Sequence, residues 1–150
     1  KKQHNSTISI GKNCTFRSSF KSNWIGINHP CLISTQGTEK AVIVVGNNCG
    51  FSGTVIAAFK GISLGNNVRC GANTLITDSD WHIEDYRVTQ PKEIIIEDNV
   101  WLGVNSVLLK GVRIGKNSVI GANSIVTSDI PENVIAAGNP CKIIKKLKQT

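Results

Sequence analysis

Residues 96–131 divide without remainder into IEDNVW, LGVNSV, LLKGVR, IGKNSV, IGANSI and VTSDIP. Each six-residue unit opens on an aliphatic side chain: Ile96, Leu102, Leu108, Ile114, Ile120 and Val126. Roughly a quarter of the chain is Ile, Leu or Val, so six successive hits by chance are on the order of one in a few thousand. Gly occupies the second place at 103, 115 and 121, and the fifth place is small or β-branched at Val100, Ser106, Val112, Ser118 and Ser124. The same phrase stands upstream as IGKNCT from Ile10, VGNNCG from Val45, LGNNVR from Leu64 and CGANTL from Cys70.

A period of six is neither helical nor a plain alternation. It predicts an all-β protein, a parallel β-helix in which each unit supplies a short strand and a turn. Three units close a triangular coil with the leading aliphatic residue inside the prism. Gly and Asn suit the corners because they tolerate the backbone angles of a sharp turn. By length, residues 1–150 form a single domain, with the β-helix over about 8–138.

The rhythm breaks at TDSDWH, residues 77–82. Ile76 and Ile96 are 20 residues apart, against 18 for one three-unit coil, so the spacing predicts a loop over 77–95. That loop carries Asp78, Asp80, Trp81, His82, Glu84 and Tyr86 off the prism wall. A second departure follows at GNPCKIIKKLK. Asn139 is in place as a cap and Pro140 as a first helical residue, and Ile143, Ile144 and Leu147 share a face by helical spacing. A short C-terminal α-helix over 139–149 is therefore expected to plug one end of the coil stack.

The net charge is +7, partly because Lys142, Lys145, Lys146 and Lys148 crowd the C-terminus. Such a cluster suits an anionic partner. No helix-turn-helix, RNP or zinc-finger pattern accompanies it, so nucleic acid is not expected, and a phosphorylated small molecule fits the charge. The five Cys at 14, 31, 49, 70 and 141 are odd in number and lack CxxC spacing, which points to reduced thiols, with Cys14, Cys49 and Cys70 facing inward. With no long apolar run and no signal-peptide pattern, the expected location is cytoplasmic. The chain has no Met, so a short leader is expected to be missing.

The stretch VWLGVNSVLLKGVRIGKNSVIGANSIVTSDIPENVIAAGNP, following ITDSDWH, resembles the hexapeptide-repeat acetyltransferases. It is most similar to the sugar O-acetyltransferases related to galactoside, maltose and nodulation-factor acetyltransferases. The resemblance runs back to about residue 8. It implies a left-handed β-helix, a homotrimer with active sites between neighbouring prisms, and acetyl-CoA as acyl donor. The helical segment that precedes the β-helix in maltose-type enzymes is absent from this chain, which favours the shorter enzymes of polysaccharides or their precursors.

By the same resemblance His82 is the catalytic residue. Trp101, Gly103, Val104, Ala122, Thr127, Lys142 and Lys145 are expected around the coenzyme, and Ser52, Asp78, Asp80, Trp81 and Tyr86 at the acceptor, with Trp24 a weaker candidate. The chain departs from the family pattern at Lys142 and Lys145, where Arg is usual, at Val104, where the galactoside enzymes have Ser, and at Lys110, where many members have Pro.

Acetyl transfer to a hydroxyl needs a base, and His titrates near the working pH. The developing oxyanion needs a donor, for which a backbone N–H near Gly103 or Val104 is in place. A direct ternary-complex mechanism follows. His4, near the chain end, is expected to be inert, and His29 in NHPC reads as a turn residue before Pro30, with lining of the acceptor site as the other reading. The γ-class carbonic anhydrases share this coil and bind zinc through three His, two of them closely spaced; separations of 25 and 53 residues do not meet that pattern, and no metal is expected. Two other readings remain: an N-acetyltransferase of amino sugars or their nucleotide-linked forms, and a non-catalytic scaffold, which would have no use for a repeat-breaking loop bearing His.

Overall fold

The structure is a computed structural model that describes residues 1–37 and 39–148. Its strands fall into successive coils. The first coil is β1 (Thr7–Ile10), β2 (Thr15–Arg17) and β3 (Leu32–Thr35); the second is β4 (Val42–Val45), β5 (Gly50–Ser52) and β6 (Val55–Ala58). The third is β7 (Gly61–Leu64), β8 (Arg69–Cys70) and β9 (Leu75–Thr77), and the fourth is β10 (Ile94–Ile96), β11 (Trp101–Leu102) and β12 (Val107–Leu108). The fifth is β13 (Arg113–Ile114), β14 (Val119–Ile120) and β15 (Ile125–Val126), followed by β16 (Val134–Ala137) and β17 (Lys142–Lys146).

Stacking the coils makes three parallel faces. Face A is β1-β4-β7-β10-β13, face B runs from β2 through β5, β8, β11 and β14 to β16, and face C is β3-β6-β9-β12-β15. The expected parallel β-helix is therefore present. Its core is the column of unit-leading residues: Leu102, Leu108, Ile114, Ile120 and Val126 are each 0% exposed and Ile96 1%. Each such burial is worth about 1.5–3 kcal/mol, so the hexad is an energetic as well as a geometric repeat.

The fourth residue of the unit makes the corner. Asn13, Asn48, Asn67, Asn99, Asn117 and Asn133 turn the chain from face A to face B, and Asn73, Asn105 and Asn123 turn it from B to C, all with φ between 55° and 60°. Few residues besides Gly accept that left-handed region as readily as Asn. The side chains also stack: Asn99 Nδ2 donates to Asn117 Oδ1 (3.0 Å), and Asn117 Nδ2 to Asn133 Oδ1 (2.9 Å). Gly103 serves a different need, because a Cβ there would lie 2.6 Å from the Ala122 nitrogen of the next coil.

Three expectations change. The loop is shorter at both ends, since Thr77 belongs to β9 and Ile94 and Ile95 to β10, leaving 78–93 as the excursion. A second excursion, 18–31, leaves the B-to-C edge of the first coil and exposes Phe20, Trp24 and Ile25. The C-terminal helix is absent: residues 138–141 turn back, and β17 pairs antiparallel with β16, with a bulge that skips Ile144. The last strand of face B offered a row of unpaired backbone groups, and an antiparallel hairpin satisfies them where a helix would not. Gln149, the end of the expected helix, lies outside the described residues. No helix among the described residues is long and apolar enough to cross a membrane.

Candidate functional site

The 78–93 loop is held to the C-to-A edge by two side chains. Asp78 is 0% exposed, and its carboxylate accepts backbone N–H groups from Phe59 (2.7 Å), Lys60 (2.8 Å) and Gly61 (2.7 Å). Burial pushes its pKa above the ordinary aspartate value, and the three N–H bonds pull partly against that. Asp78 is thus the root of the loop, with its oxygens occupied within the chain. Lys110 is the second anchor. Its ammonium pairs with Asp80 and donates to the Thr89 carbonyl (2.9 Å), so it clips the two limbs of the loop together from the corner of the next coil. The departure from Pro at this position thereby has a structural use.

Between these anchors the chain presents His82. Trp81 has a φ of 73°, a conformation that costs a bulky residue on the order of 1–3 kcal/mol. Its ring packs edge-on against Phe59 at 5.4 Å and 80°. The side chain of His82 is 80% exposed, and its Nδ1 lies 3.5 Å from the Glu84 carboxylate. Within the loop Arg87 pairs with Asp85 at 2.5 Å and holds the Asp85 carboxyl below its usual range. Tyr86 stands fully in solvent. Beneath the loop a cavity of about 230 Å³ is lined by Phe59, Ile83, Gln90 and Pro91, among others.

The coenzyme candidates gather elsewhere. Trp101 is 53% exposed on the outer side of face B, and its strand partners carry an outward row in register: Arg69 on one side, then Val119, Ile135 and Lys145 on the other. At interstrand steps of about 4.8 Å, Lys145 is roughly 14 Å from Trp101. Lys142, in the same terminal strand, pairs with Ala137. Ser52 and Trp101 both line a groove of about 400 Å³ on this face.

Gly103, Val104 and Ala122 lie on the neighbouring B-to-C edge. The Gly103 N–H donates to Ile120 O (2.8 Å) and is spent on the coil ladder. Among the described residues the Val104 N–H has no acceptor, so of these two backbone groups it is the unpaired one. Thr127 is exposed beyond β15, at the C-to-A side.

The expected site residues therefore form two groups within one chain. His82, Trp81, Asp80 and Tyr86 belong to the C-to-A edge, while Trp101, Ser52, Val104, Ala122 and Lys145 belong to face B and its border with C. The hydrogen bonds that tie the loop to the prism beyond its own entry strand run to the C-to-A corners. Of the thiols, Cys49, Cys70 and Cys141 are buried and Cys14 is partly exposed, and all five are free. No group of three His, Cys, Asp or Glu among the described residues is arranged to hold a metal ion. Lys110, marked in the sequence only as a departure from the family's Pro, is the loop anchor whose part was not expected there; its signal was a charged side chain, one coil past the loop, at a corner position.

The model for the hexapeptide repeat of succinyl-transferase matches residues 93–128. The chain is 37% identical over 145 residues to the galactoside O-acetyltransferase of Lactococcus lactis, covering 94% of this chain and 64% of that protein. It is 40% identical over 84 residues to a 2,3,4,5-tetrahydropyridine-2,6-dicarboxylate N-acetyltransferase of Staphylococcus aureus, covering 54% of this chain and 31% of that one. Among solved structures, a galactoside acetyltransferase in complex with coenzyme A superposes with a TM-score of 0.67 at 32% identity, over 93% of this chain and 65% of that one. In each case the chain spans less than two thirds of its relative's length.

Proposed function

We propose that this chain, which is similar to hexapeptide-repeat acetyltransferases, transfers an acetyl group from acetyl-CoA to a sugar hydroxyl, with His82 as general base. The observation that carries this reading is the anchored loop. A repeat that could have closed its coil instead diverts residues 78–93, buries Asp78 to root them, clips them with Lys110 and leaves an imidazole in solvent.

The chemistry runs as follows. His82 takes the proton of the acceptor hydroxyl as its oxygen attacks the thioester carbonyl carbon, with Glu84 beside Nδ1 favouring the tautomer that accepts at Nε2. The carbonyl oxygen gains the negative charge and receives the Val104 N–H. Collapse of the tetrahedral centre breaks the carbon–sulfur bond, and the proton on His82 passes to the departing thiolate. Lys142 and Lys145 meet the coenzyme's phosphates as point charges, in place of the bidentate fork that Arg would offer.

The two groups of site residues lie on different sides of one prism, so the reading requires a second copy. In the homotrimer of left-handed β-helices that the family implies, the loop of one subunit reaches face B and the B-to-C edge of its neighbour. The outward row of face C supports self-association: Leu32, Val55, Leu75, Val107 and Ile125 are in register and all aliphatic.

The test is His82→Ala. Release of free CoA thiol in the presence of a sugar acceptor is expected to fall by about 10²–10⁴-fold with assembly and coenzyme binding retained. Undiminished turnover sinks the mechanism. The similarity to an N-acetyltransferase favours one alternative, an amine acceptor. For that acceptor kcat/KM rises with pH through the amine's own pKa, because only the neutral amine attacks.

A further inference from the structure

The groove on face B has a composition that donor binding does not explain. Its floor is Gly50, in the outward row between Thr15 and Arg69. Gly50 has no left-handed φ, and a Cβ built on it meets nothing within 4 Å. Neither backbone conformation nor crowding requires glycine there, and in a strand glycine is less stable than alanine because it gives up more backbone freedom. What its missing side chain supplies is space.

The walls of that space are chemically one-sided. Trp101 stands next to Arg69 in register, and Arg17 lies on the strand beyond Gly50. The residues lining the groove include two guanidiniums, an indole, and the amides and hydroxyls of Asn13, Asn48, Thr15 and Ser52, but no carboxylate. The Arg17 guanidinium donates to the Ser22 carbonyl, which fixes it at the groove's rim. Arg69 is exposed and forms no ion pair among the described residues. The other arginines that are paired, Arg87 and Arg113, meet carboxylates. Lys145 lies at the opposite end of the same row, past Trp101.

We propose that the groove is an acceptor subsite for an acidic sugar, with the ring against Trp101 over Gly50 and its anionic substituent, a carboxylate or a phosphate, on Arg69. The proposal rests on the acetyltransfer reading for its chemistry, and it divides the row at Trp101: coenzyme phosphates towards Lys145, acceptor anion towards Arg69. A planar guanidinium matches either oxyanion bidentately, and an indole face suits the C–H side of a pyranose ring.

The experiment compares a hexuronate, a hexose phosphate and the matching neutral hexose as acceptors, by thiol release, in wild type, Arg69→Gln, Arg69→Lys and Gly50→Val. Binding of a hexuronate oligomer without acetyl-CoA is measured alongside by calorimetry. Wild type is expected to favour an acidic acceptor. Arg69→Gln lowers the acidic-over-neutral ratio of kcat/KM at least about tenfold, the size of a lost charged hydrogen bond. Arg69→Lys restores part of the ratio, and Gly50→Val blocks acidic acceptors by filling the floor. The hexuronate and phosphate arms identify which anion is read. Transfer to neutral sugars with the ratio unmoved by Arg69→Gln overturns the proposal and leaves the acetyltransfer reading standing. A matching rise in the KM for acetyl-CoA also overturns it, since Arg69 would then serve the donor. Hexuronate binding that depends on Arg69, with no acetyl transfer to any sugar, supports the subsite and overturns the acetyltransfer reading instead.

Discussion

The A-to-B edge and the C-to-A edge of the prism are made from one repeat and obey different rules. From face A to face B the connection is four residues in each of the five coils, always with a left-handed Asn. From face C to face A it is six, two, sixteen and four residues in the first four passages, with no left-handed Asn. On the A-to-B edge every corner keeps the left-handed Asn and its length, whereas the B-to-C edge has lost the Asn where its first two passages depart from four residues. The C-to-A corners, held by individual side chains, vary in length, and that is where the protein grew a loop and placed an imidazole.

The strongest way to break this comparison is to separate the loop from its cleft. His82→Ala and Trp101→Ala alter different sides of one chain, and each alone is expected to be nearly inactive. Mixed one-to-one and reassembled, they should recover about a quarter of wild-type thiol release, because in a cyclic trimer a quarter of the intersubunit sites receive both native residues. No recovery would mean that the two residues serve one chain's own site.

Next in size is the root of the loop. Asp78→Ala leaves three backbone N–H groups without their acceptor and should cost about 3 kcal/mol, read as a drop in Tm of roughly 10 °C. The pH dependence has a definite sign. Burial raises the folded-state pKa of Asp78, so the native protein keeps this proton after the unfolded chain has released it. The group's contribution to stability therefore declines as pH rises from the ordinary aspartate value through the raised one, then levels. Urea midpoints across weakly acid pH should show that slope in wild type and lose it in Asp78→Asn.

On the uniform edge, Asn117→Ala forfeits the bonds to Asn99 and Asn133 and strains a left-handed residue, for about 1–2 kcal/mol. Asn117→Gly should recover the conformational part but not the ladder, and equilibrium unfolding separates the two. The smallest effect belongs to Lys110→Ala, about 1 kcal/mol or less for a partly exposed pair. It should nevertheless lower kcat severalfold by loosening the limbs around His82, with hydrogen exchange in 80–92 rising in parallel.

The sequence by itself determined the coil, its core and the place where it opens, because a hexad with one aliphatic lead and one Asn corner leaves a parallel prism as the arrangement that buries the first and turns at the second. It also marked His82, since a polar stretch that interrupts such a rhythm is conspicuous. Tertiary structure decided the rest. Whether Ile143 and Ile144 wind into a helix or extend depended on an unpaired strand edge, β16, that local spacing cannot sense. Asp78 and Asp80 look alike in TDSDWH, yet one is buried under Phe59, Lys60 and Gly61 while the other meets Lys110, and only the return of the chain at 59–61 and 110 distinguishes them. The hexad repeats along the chain, but partners are chosen across coils, by which backbone groups each corner leaves unpaired.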